Sequence, residues 1–214
     1  MDFGVSIPTW GPLSAPDSMA AIARSAEALG YGYLSVSDHI VMPRQIDSRY
    51  PYSPTGQSLG AGEFLEQLTV LSFLAAHTSR VRLVTSVMVL PYRNPVHTAK
   101  TLATIDVLSH GRLTVGCGVG WMREEFEALG SPPYEERGIV SDEYIRAFRE
   151  LWSSGDSEFE GKYLRFDSLI FEPKPVQKPG PPIWIGGESA PALRRAARLG
   201  DAWFPIASNP RHPL

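Results

Sequence analysis

Residues 81–95 read VRLVTSVMVLPYRNP, and this stretch decides the fold class. Its first ten residues are rich in β-branched and apolar side chains, and the last five of these, residues 86–90, are apolar almost throughout. Such a run is typical of a strand that is covered on both faces of a parallel sheet. Asn94 and Pro95 then provide an N-cap and a first helical residue, which predicts that a helix follows the strand directly.

The same alternation of strand and helix continues toward both ends of the chain. Leu29 and Leu193 are among the helical side chains whose spacing predicts that they face the core. The predicted strands cover residues 3–7, 33–37, 81–90, 113–119, 183–185 and 202–206. The predicted helices cover residues 17–30, 63–78, 94–109, 134–153 and 189–200. Alternating units predict an α/β fold with a parallel sheet, either open or closed into a barrel.

The segments that follow the strands favour the barrel. An open doubly wound sheet would carry a phosphate-binding glycine turn after its first strand, and residues 7–12 (IPTWGP) do not form one. The segments after strands two to five are polar, glycine-rich or aromatic, as expected of loops on the C-terminal rim of a TIM barrel. We therefore predict a TIM (β/α)8-type barrel as a single domain over residues 1–214, with a hairpin and proline-rich insertion at 155–181.

The length of the chain predicts that this barrel is incomplete. A (β/α)8 barrel usually takes about 250 residues, whereas this chain has 214, part of which belongs to the insertion. Six strands are predicted, so we expect about six βα units and no counterpart of the last two. The first and sixth strands would then be the open edges of the sheet, which is a liability for association.

Composition and charge exclude several classes of protein. With 20 Lys and Arg against 23 Asp and Glu, the net charge is −3, and no basic cluster suggests nucleic acid or an anionic membrane as a partner. The single Cys allows no internal disulfide, and no signal peptide or apolar run of roughly 18 residues is present, so a cytoplasmic protein is expected. No His, Cys and carboxylate cluster has metal-ligand spacing, so no metal site is predicted.

Two polar pairs lie at the predicted rim. Asp38 and His39 follow the second strand; a histidine there can donate or accept a proton near neutral pH, and the aspartate could set its tautomer or bind a cofactor. The alternative is a turn cap beside a partly exposed histidine. Thr85 and Ser86 place two hydroxyls inside an apolar strand, where they either bond within the core or mark a kink that presents backbone to a flat ligand.

Glycines follow the fourth and fifth strands. Residues 116–120 (GCGVG) are no nicotinamide fingerprint, because Trp121 occupies the position of the required third glycine. Glycines at a strand end instead let a planar ring approach the backbone. Gly186 and Gly187 precede a helix, where free amides suit a phosphate, although a plain tight turn explains them equally well. Cys117, in the same strand, is expected to be a packing residue.

Four blocks of sequence resemble the luciferase-like monooxygenase family. They are Asp38-His39, TSVMVLPYRNP at 85–95, LSHGRLTVGCGVGWMREEFEALG at 108–130 and FEPKPVQKPGPPIWIGG at 171–187. The blocks are most similar to the branch of the family that uses the deazaflavin coenzyme F-420. The resemblance implies a TIM barrel with an insertion, usually a homodimer, that binds a flavin or deazaflavin at its C-terminal rim.

The resemblance also implies roles for individual residues. A non-prolyl cis peptide is expected at Ser86-Val87 behind the cofactor ring, and His39 is expected to exchange a proton during the reaction. The implied catalytic residues are His39 and Asp38, and the implied cofactor-binding residues are Asp38, Thr85, Ser86, Val87, Gly118, Gly120, Gly186 and Gly187. Trp121 stands where relatives carry a catalytic Glu, which leaves Glu124 and Glu125 as weak substitutes.

Hydride transfer between coenzyme F-420 and a small organic substrate is the expected reaction. The alternative is an FMN-dependent monooxygenase that uses reduced flavin, O2 and a separate flavin reductase. An alternative of another class is a non-catalytic remnant that binds cofactor or dimerises. The long loop at 41–61, with Tyr50 and Tyr52, is a candidate lid over an apolar substrate.

Overall fold

A computed structural model describes residues 2–53, 55–56 and 63–206. The strands are β1 Gly4–Ser6, β2 Tyr33–Val36, β3 Arg82–Thr85, β4 Met88–Val89, β5 Leu113–Gly118, β6 Ser157–Glu160, β7 Arg165–Leu169, β8 Ile183–Gly186 and β9 Ala202–Phe204. The helices are α1 Pro16–Ala28, α2 Gln67–His77, α3 Pro95–Leu108, α4 Arg123–Leu129, α5 Arg137–Ser153 and α6 Ala190–Leu199.

The main sheet is parallel and follows the order of the chain. Its strands pair in the order β1-β2-β3-β5-β8-β9, and the short β4 pairs with β5. The sheet curls into an incomplete barrel of six main strands, which confirms the predicted fold class. All six predicted strands are present, and β1 and β9 form its edges among the described residues.

The core lies between the sheet and the helices on its outer face. Leu113, Val115 and Cys117 alternate along β5 and are buried there, in one hydrophobic cluster with Phe148 and Trp152 of α5. The indole nitrogen of Trp152 donates a hydrogen bond to the carbonyl of Ala99 at 3.1 Å, so this large side chain is buried without an orphaned donor. Helices α3 and α5 are thereby fixed against each other.

The structure corrects several predicted boundaries. Helix α1 ends at Ala28, and the next residue, Leu29, is 77% exposed. Leu193 of α6 is 43% exposed. Contrary to the prediction, neither side chain faces the core. Helix α2 begins at Gln67 rather than at residue 63, because the Glu66 carboxylate caps it by accepting from the amide of Thr69 at 2.7 Å. The predicted strand 81–90 is divided into β3 and β4.

The insertion is an antiparallel hairpin that stands apart from the main sheet. Strands β6 and β7 pair with each other, as the hairpin prediction required. The carboxylate of Glu143 on α5 accepts hydrogen bonds from the amides of Lys162, Tyr163 and Leu164 at 2.7–2.9 Å, which ties the hairpin turn to the helix. Within the described ranges, no helix has both the length and the apolar character of a membrane-spanning segment.

Candidate functional site

The site lies where β2, β3, β4, β5 and β8 end, on the carboxyl rim of the sheet. Between β3 and β4 the peptide bond Ser86-Val87 is cis, as the resemblance implied. The side chain of Val87 projects toward two glycines on neighbouring strands. A Cβ atom at Gly118 would lie 2.5 Å from Val87 Cγ2, and one at Gly186 would lie 3.0 Å from Val87 Cγ1. These two glycines therefore form the space that Val87 fills.

The two hydroxyl residues of β3 have different surroundings. Thr85 is buried, and its hydroxyl donates to the carbonyl of Gly116 at 2.8 Å, so this side chain links β3 to β5. A Cβ at Gly116 would meet the Thr85 carbonyl oxygen at 2.1 Å, which explains the glycine there. Ser86 donates its amide to the carbonyl of Val36 at 2.8 Å and is half-buried at the rim, as is Val87.

Asp38 is buried and fully engaged with its neighbours. Its carboxylate accepts two hydrogen bonds from the guanidinium of Arg93, at 2.7 and 2.8 Å, and one from the amide of Val89 at 2.8 Å. Arg93 also pairs with Glu66 at 2.8 Å. Burial opposes the charge of Arg93, but the two carboxylates prevail and raise its pKa above the usual range. Asp38 thus anchors the end of β2 to β4 and to the segment before α3.

His39 is held by a carboxylate from a distant part of the chain. Its Nδ1 lies 2.9 Å from Oε2 of Glu125, which is completely buried. Glu125 Oε1 accepts from the amides of Ile40 at 2.7 Å and Val41 at 3.3 Å, and its Oε2 accepts from the Tyr92 hydroxyl at 2.9 Å. Burial would raise the pKa of Glu125, but these hydrogen bonds, that of His39 foremost, hold it below its usual range.

The sequence did not distinguish between the adjacent residues Glu124 and Glu125, but in the structure they bind different partners. Successive helical residues point about 100° apart, so Glu124 and Glu125 at the start of α4 reach different partners. Glu124 Oε1 accepts from the amides of Asp47 at 2.8 Å and Ser48 at 2.9 Å, on the outer part of the loop. Only Glu125 reaches His39. Helix α4 itself was missing from our sequence prediction.

Tyr92 and Arg93 are site residues that the sequence reasoning missed, although both lie inside the stretch that decided the fold. Their signal was present: polar side chains between a buried strand and the N-cap of the next helix belong on the carboxyl rim. Burial, followed by the charge of Glu125, raises the pKa of Tyr92, so its hydroxyl remains a donor.

Aromatic rings surround the imidazole of His39. The ring of Phe64 lies 4.9 Å from it and that of Trp121 lies 6.4 Å from it. Tyr50 packs against Trp121 at 5.1 Å and against Tyr52 at 5.5 Å, so the loop brings its two tyrosines to the rim. Burial raises the pKa of Tyr52 to about 12. Residues 54 and 57–61 of the candidate lid lie outside the described residues.

The remaining glycines make turns at the ends of β5 and β8. Gly120 has a φ of +83°, and a Cβ there would lie 2.6 Å from the ring of Phe126. Gly187 has a φ of +99°, and its carbonyl accepts from the indole of Trp203 at 2.8 Å. The Ser189 hydroxyl caps α6, which follows. Cys117 is buried, and burial raises the pKa of its thiol to about 12.

Relatives of known sequence match most of the chain. The luciferase-like monooxygenase family matches residues 1–213. An uncharacterised protein of Mycobacterium tuberculosis is 34% identical over 191 residues, which are 88% of this chain and 65% of that protein. The FMNH2-dependent dimethylsulfone monooxygenase of Pseudomonas putida is 36% identical over 147 residues, which are 68% of this chain and 40% of that protein.

Solved structures share the fold. The monooxygenase RslO1 from Streptomyces bottropensis superposes with a TM-score of 0.79 at 28% identity, over 99% of this chain and 61% of that one. The coenzyme F-420-dependent tetrahydromethanopterin reductase from Methanopyrus kandleri gives a TM-score of 0.72 at 22% identity, over 95% and 55%. The chain thus spans less than two thirds of the length of each of these relatives. It belongs to the luciferase-like monooxygenase family.

Proposed function

We propose that this protein is an oxidoreductase that transfers a hydride between coenzyme F-420 and a small organic substrate. The observation that carries the proposal is His39, which a buried carboxylate holds on the carboxyl rim where β2 ends. An imidazole in such a place can exchange a proton near neutral pH as a hydride is transferred nearby.

The residues at the rim fit a planar cofactor ring. Gly118 and Gly186 leave the space that the Val87 side chain occupies. Because that side chain points toward the glycines, the backbone of Ser86 and Val87 can contact a flat ligand at the half-buried rim. The aromatic side chains of Phe64 and Trp121 lie beside His39. When bound, a deazaflavin supplies the two-electron hydride chemistry, and the protein supplies orientation, electrostatics and exclusion of water.

We assign the protein's own contributions as follows. Ser86, Val87 and Gly118 would support the ring, and Gly186 and Gly187 would meet its phosphate-bearing tail. Asp38 holds the rim together through Arg93. His39 holds or accepts a proton at Nε2, the ring nitrogen directed away from Glu125, while the tyrosines of the loop help to exclude water.

An FMN-dependent monooxygenase is the second candidate function. The observation that favours it is the 36% identity to a Pseudomonas putida protein that is named as FMNH2-dependent. In that case the protein would depend on a separate reductase to supply reduced flavin. The same rim residues would hold the ring in both cases.

Titration of the purified protein with coenzyme F-420 and, separately, with FMN tests the proposal. Ligand fluorescence anisotropy reports binding of each. We expect saturable binding of F-420 that is tighter than that of FMN. Preferential binding of FMN would replace the proposal with the second candidate, and binding of neither would leave the non-catalytic remnant.

A further inference from the structure

We propose that Glu125 is a positioning residue that keeps the proton of neutral His39 on Nδ1 and so directs the Nε2 lone pair toward the reacting centre. The tautomer follows from the hydrogen-bond geometry around Glu125. Its importance for catalysis rests on the proposed function.

The hydrogen-bond partners of Glu125 determine which atom carries the proton. Its Oε1 accepts from the amides of Ile40 and Val41, which can only donate, and its Oε2 accepts from the hydroxyl of Tyr92. A buried carboxylate that is surrounded by donors is ionised and acts only as an acceptor. The group 2.9 Å away, Nδ1 of His39, must therefore be the donor.

The other carboxylates near His39 and Glu125 are bound by other groups, so Glu125 is the charged partner of His39. From the end of β2, Asp38 is near, but Arg93 neutralises it through two hydrogen bonds. Glu124, on the same helix as Glu125, is engaged by the loop backbone. From the turn after β4, the hydroxyl of Tyr92 faces Glu125 rather than the imidazole. The aromatic rings of Phe64 and Trp121, which carry no charge, also lie near the His39 ring.

This arrangement differs from the tautomer that free histidine favours in water, which carries its proton on Nε2. The carboxylate also fixes the orientation of the ring, because its other hydrogen bonds attach it to the two residues that follow His39. A second effect follows: the imidazole cannot rotate without losing the charge-assisted hydrogen bond, which is stronger than one between neutral groups.

Nuclear magnetic resonance of ligand-free protein labelled with ¹⁵N-histidine tests the inference. Long-range ¹H–¹⁵N spectra at about pH 9, well above the ordinary histidine pKa of about 6.5, distinguish the two tautomers, and the spectrum of His39→Gln assigns the resonance. We expect Nδ1–H to dominate in the wild type and to lose its dominance in Glu125→Gln. Glu124→Gln is the matched control, because it removes a neighbouring carboxylate that binds loop amides instead, and it should keep the wild-type tautomer.

Two results would overturn the inference: a wild-type His39 that carries its proton mainly on Nε2, or a folded Glu125→Gln protein with an unchanged tautomer. The wild-type spectrum decides the tautomer even if the variant does not fold. In steady-state kinetics we expect Glu125→Gln to lower kcat far more than it changes KM. Because the spectra need no cofactor, a protein that binds neither F-420 nor FMN would disprove the proposed function and leave the tautomer result standing.

Discussion

At the scale of single residues, the acidic side chains of the rim differ because their donors differ. Asp38 is neutralised by Arg93, Glu124 binds the outer loop, and Glu125 binds His39. All three accept hydrogen bonds from backbone amides. Buried carboxylates need such donors, because an ionised group without them is costly in the protein interior.

The first prediction concerns proton exchange by His39. We expect His39→Ala to lower the rate of hydride transfer by about 10²–10⁴-fold, the usual contribution of a positioned acid or base. Stopped-flow absorbance of the bound cofactor measures this rate. His77→Ala is the control, since His77 ends α2 and contacts Arg24 and Phe73. A wild-type rate in His39→Ala would disprove the proton-transfer role.

The second prediction concerns the space that Val87 fills. Gly118→Ala should lower the free energy of unfolding by about 1–3 kcal/mol, since overpacking a filled site forces its neighbours to move. Val87 has little room to move, because Gly186 confines its other methyl group. Urea unfolding measures the change. Gly155→Ala is the matched control, with no atom within 4 Å of its new Cβ, and equal stability losses in both variants would contradict the prediction.

At the scale of elements, the strands and helices could be predicted where their signals are local. The N-cap of α3 is an example: Asn94 accepts from the amide of His97 at 3.1 Å, and Pro95 begins the helix, as the sequence indicated. Residues 81–90 left a kink at Thr85 and Ser86 open, and only the family resemblance implied the cis peptide that lies there. The residue pattern alone could not decide, because residues 87–90 continue an apolar run while the glycines that receive Val87 lie on other strands.

The short helix α4 and the site contacts show the same limit. Helix α4 has seven residues and no side chain that caps it, so its local signal is weak. The partners His39 and Glu125 are 86 positions apart, and their contact arises only when β2 and the start of α4 meet at the rim. The sequence could thus place His39 on the rim, but not name its partner.

The third prediction concerns the attachment of α1 to the turn before β3. Glu27 accepts from the amides of Ser79, Arg80 and Val81, and although burial opposes the charge, these bonds lower its pKa to about 2. A depressed folded-state pKa gives stability that is present above the unfolded pKa near 4.5 and is lost as the pH falls toward 2.

Unfolding by urea at a series of pH values between about 6 and 2 tests this attachment. We expect wild-type protein to lose more stability over the acid range than Glu27→Gln, which lacks the titrating group. Glu127→Gln on the exposed face of α4 is the control and should follow the wild-type curve. Parallel curves for wild type and Glu27→Gln would contradict the assignment.

At the scale of the whole molecule, the main sheet of the described residues ends in two edge strands. Strands β1 and β9 form these edges in the described part of the chain, and Phe3 and Trp203 beside them are 64% and 42% exposed. Exposed edge strands with nearby apolar side chains favour pairing with another chain. We therefore propose that the protein forms the homodimer that the family resemblance implied.

The fourth prediction is that the protein self-associates through these edges. Sedimentation velocity should show a species larger than the monomer, whose fraction rises with concentration. Phe3→Lys and Trp203→Lys should each reduce that fraction, because lysine protects an edge from pairing. Leu108→Lys, at a residue that is 58% exposed at the end of α3, is the control. A wild type that is monomeric at every concentration would disprove the prediction.

The ring of Trp121 is an optical reporter that the protein carries at the proposed reaction centre. Indole emission depends on the groups in contact with the ring, and Trp121 lies between the imidazole of His39 and the phenol of Tyr50. A flat ligand that arrives at this place, or a loop that leaves it, changes that emission without any attached dye. Since the chain has five tryptophans, the part of the emission change that is lost in Trp121→Phe reports on the rim. Occupancy of the rim can then be followed in real time, at low protein concentration, and with substrates that have no colour of their own.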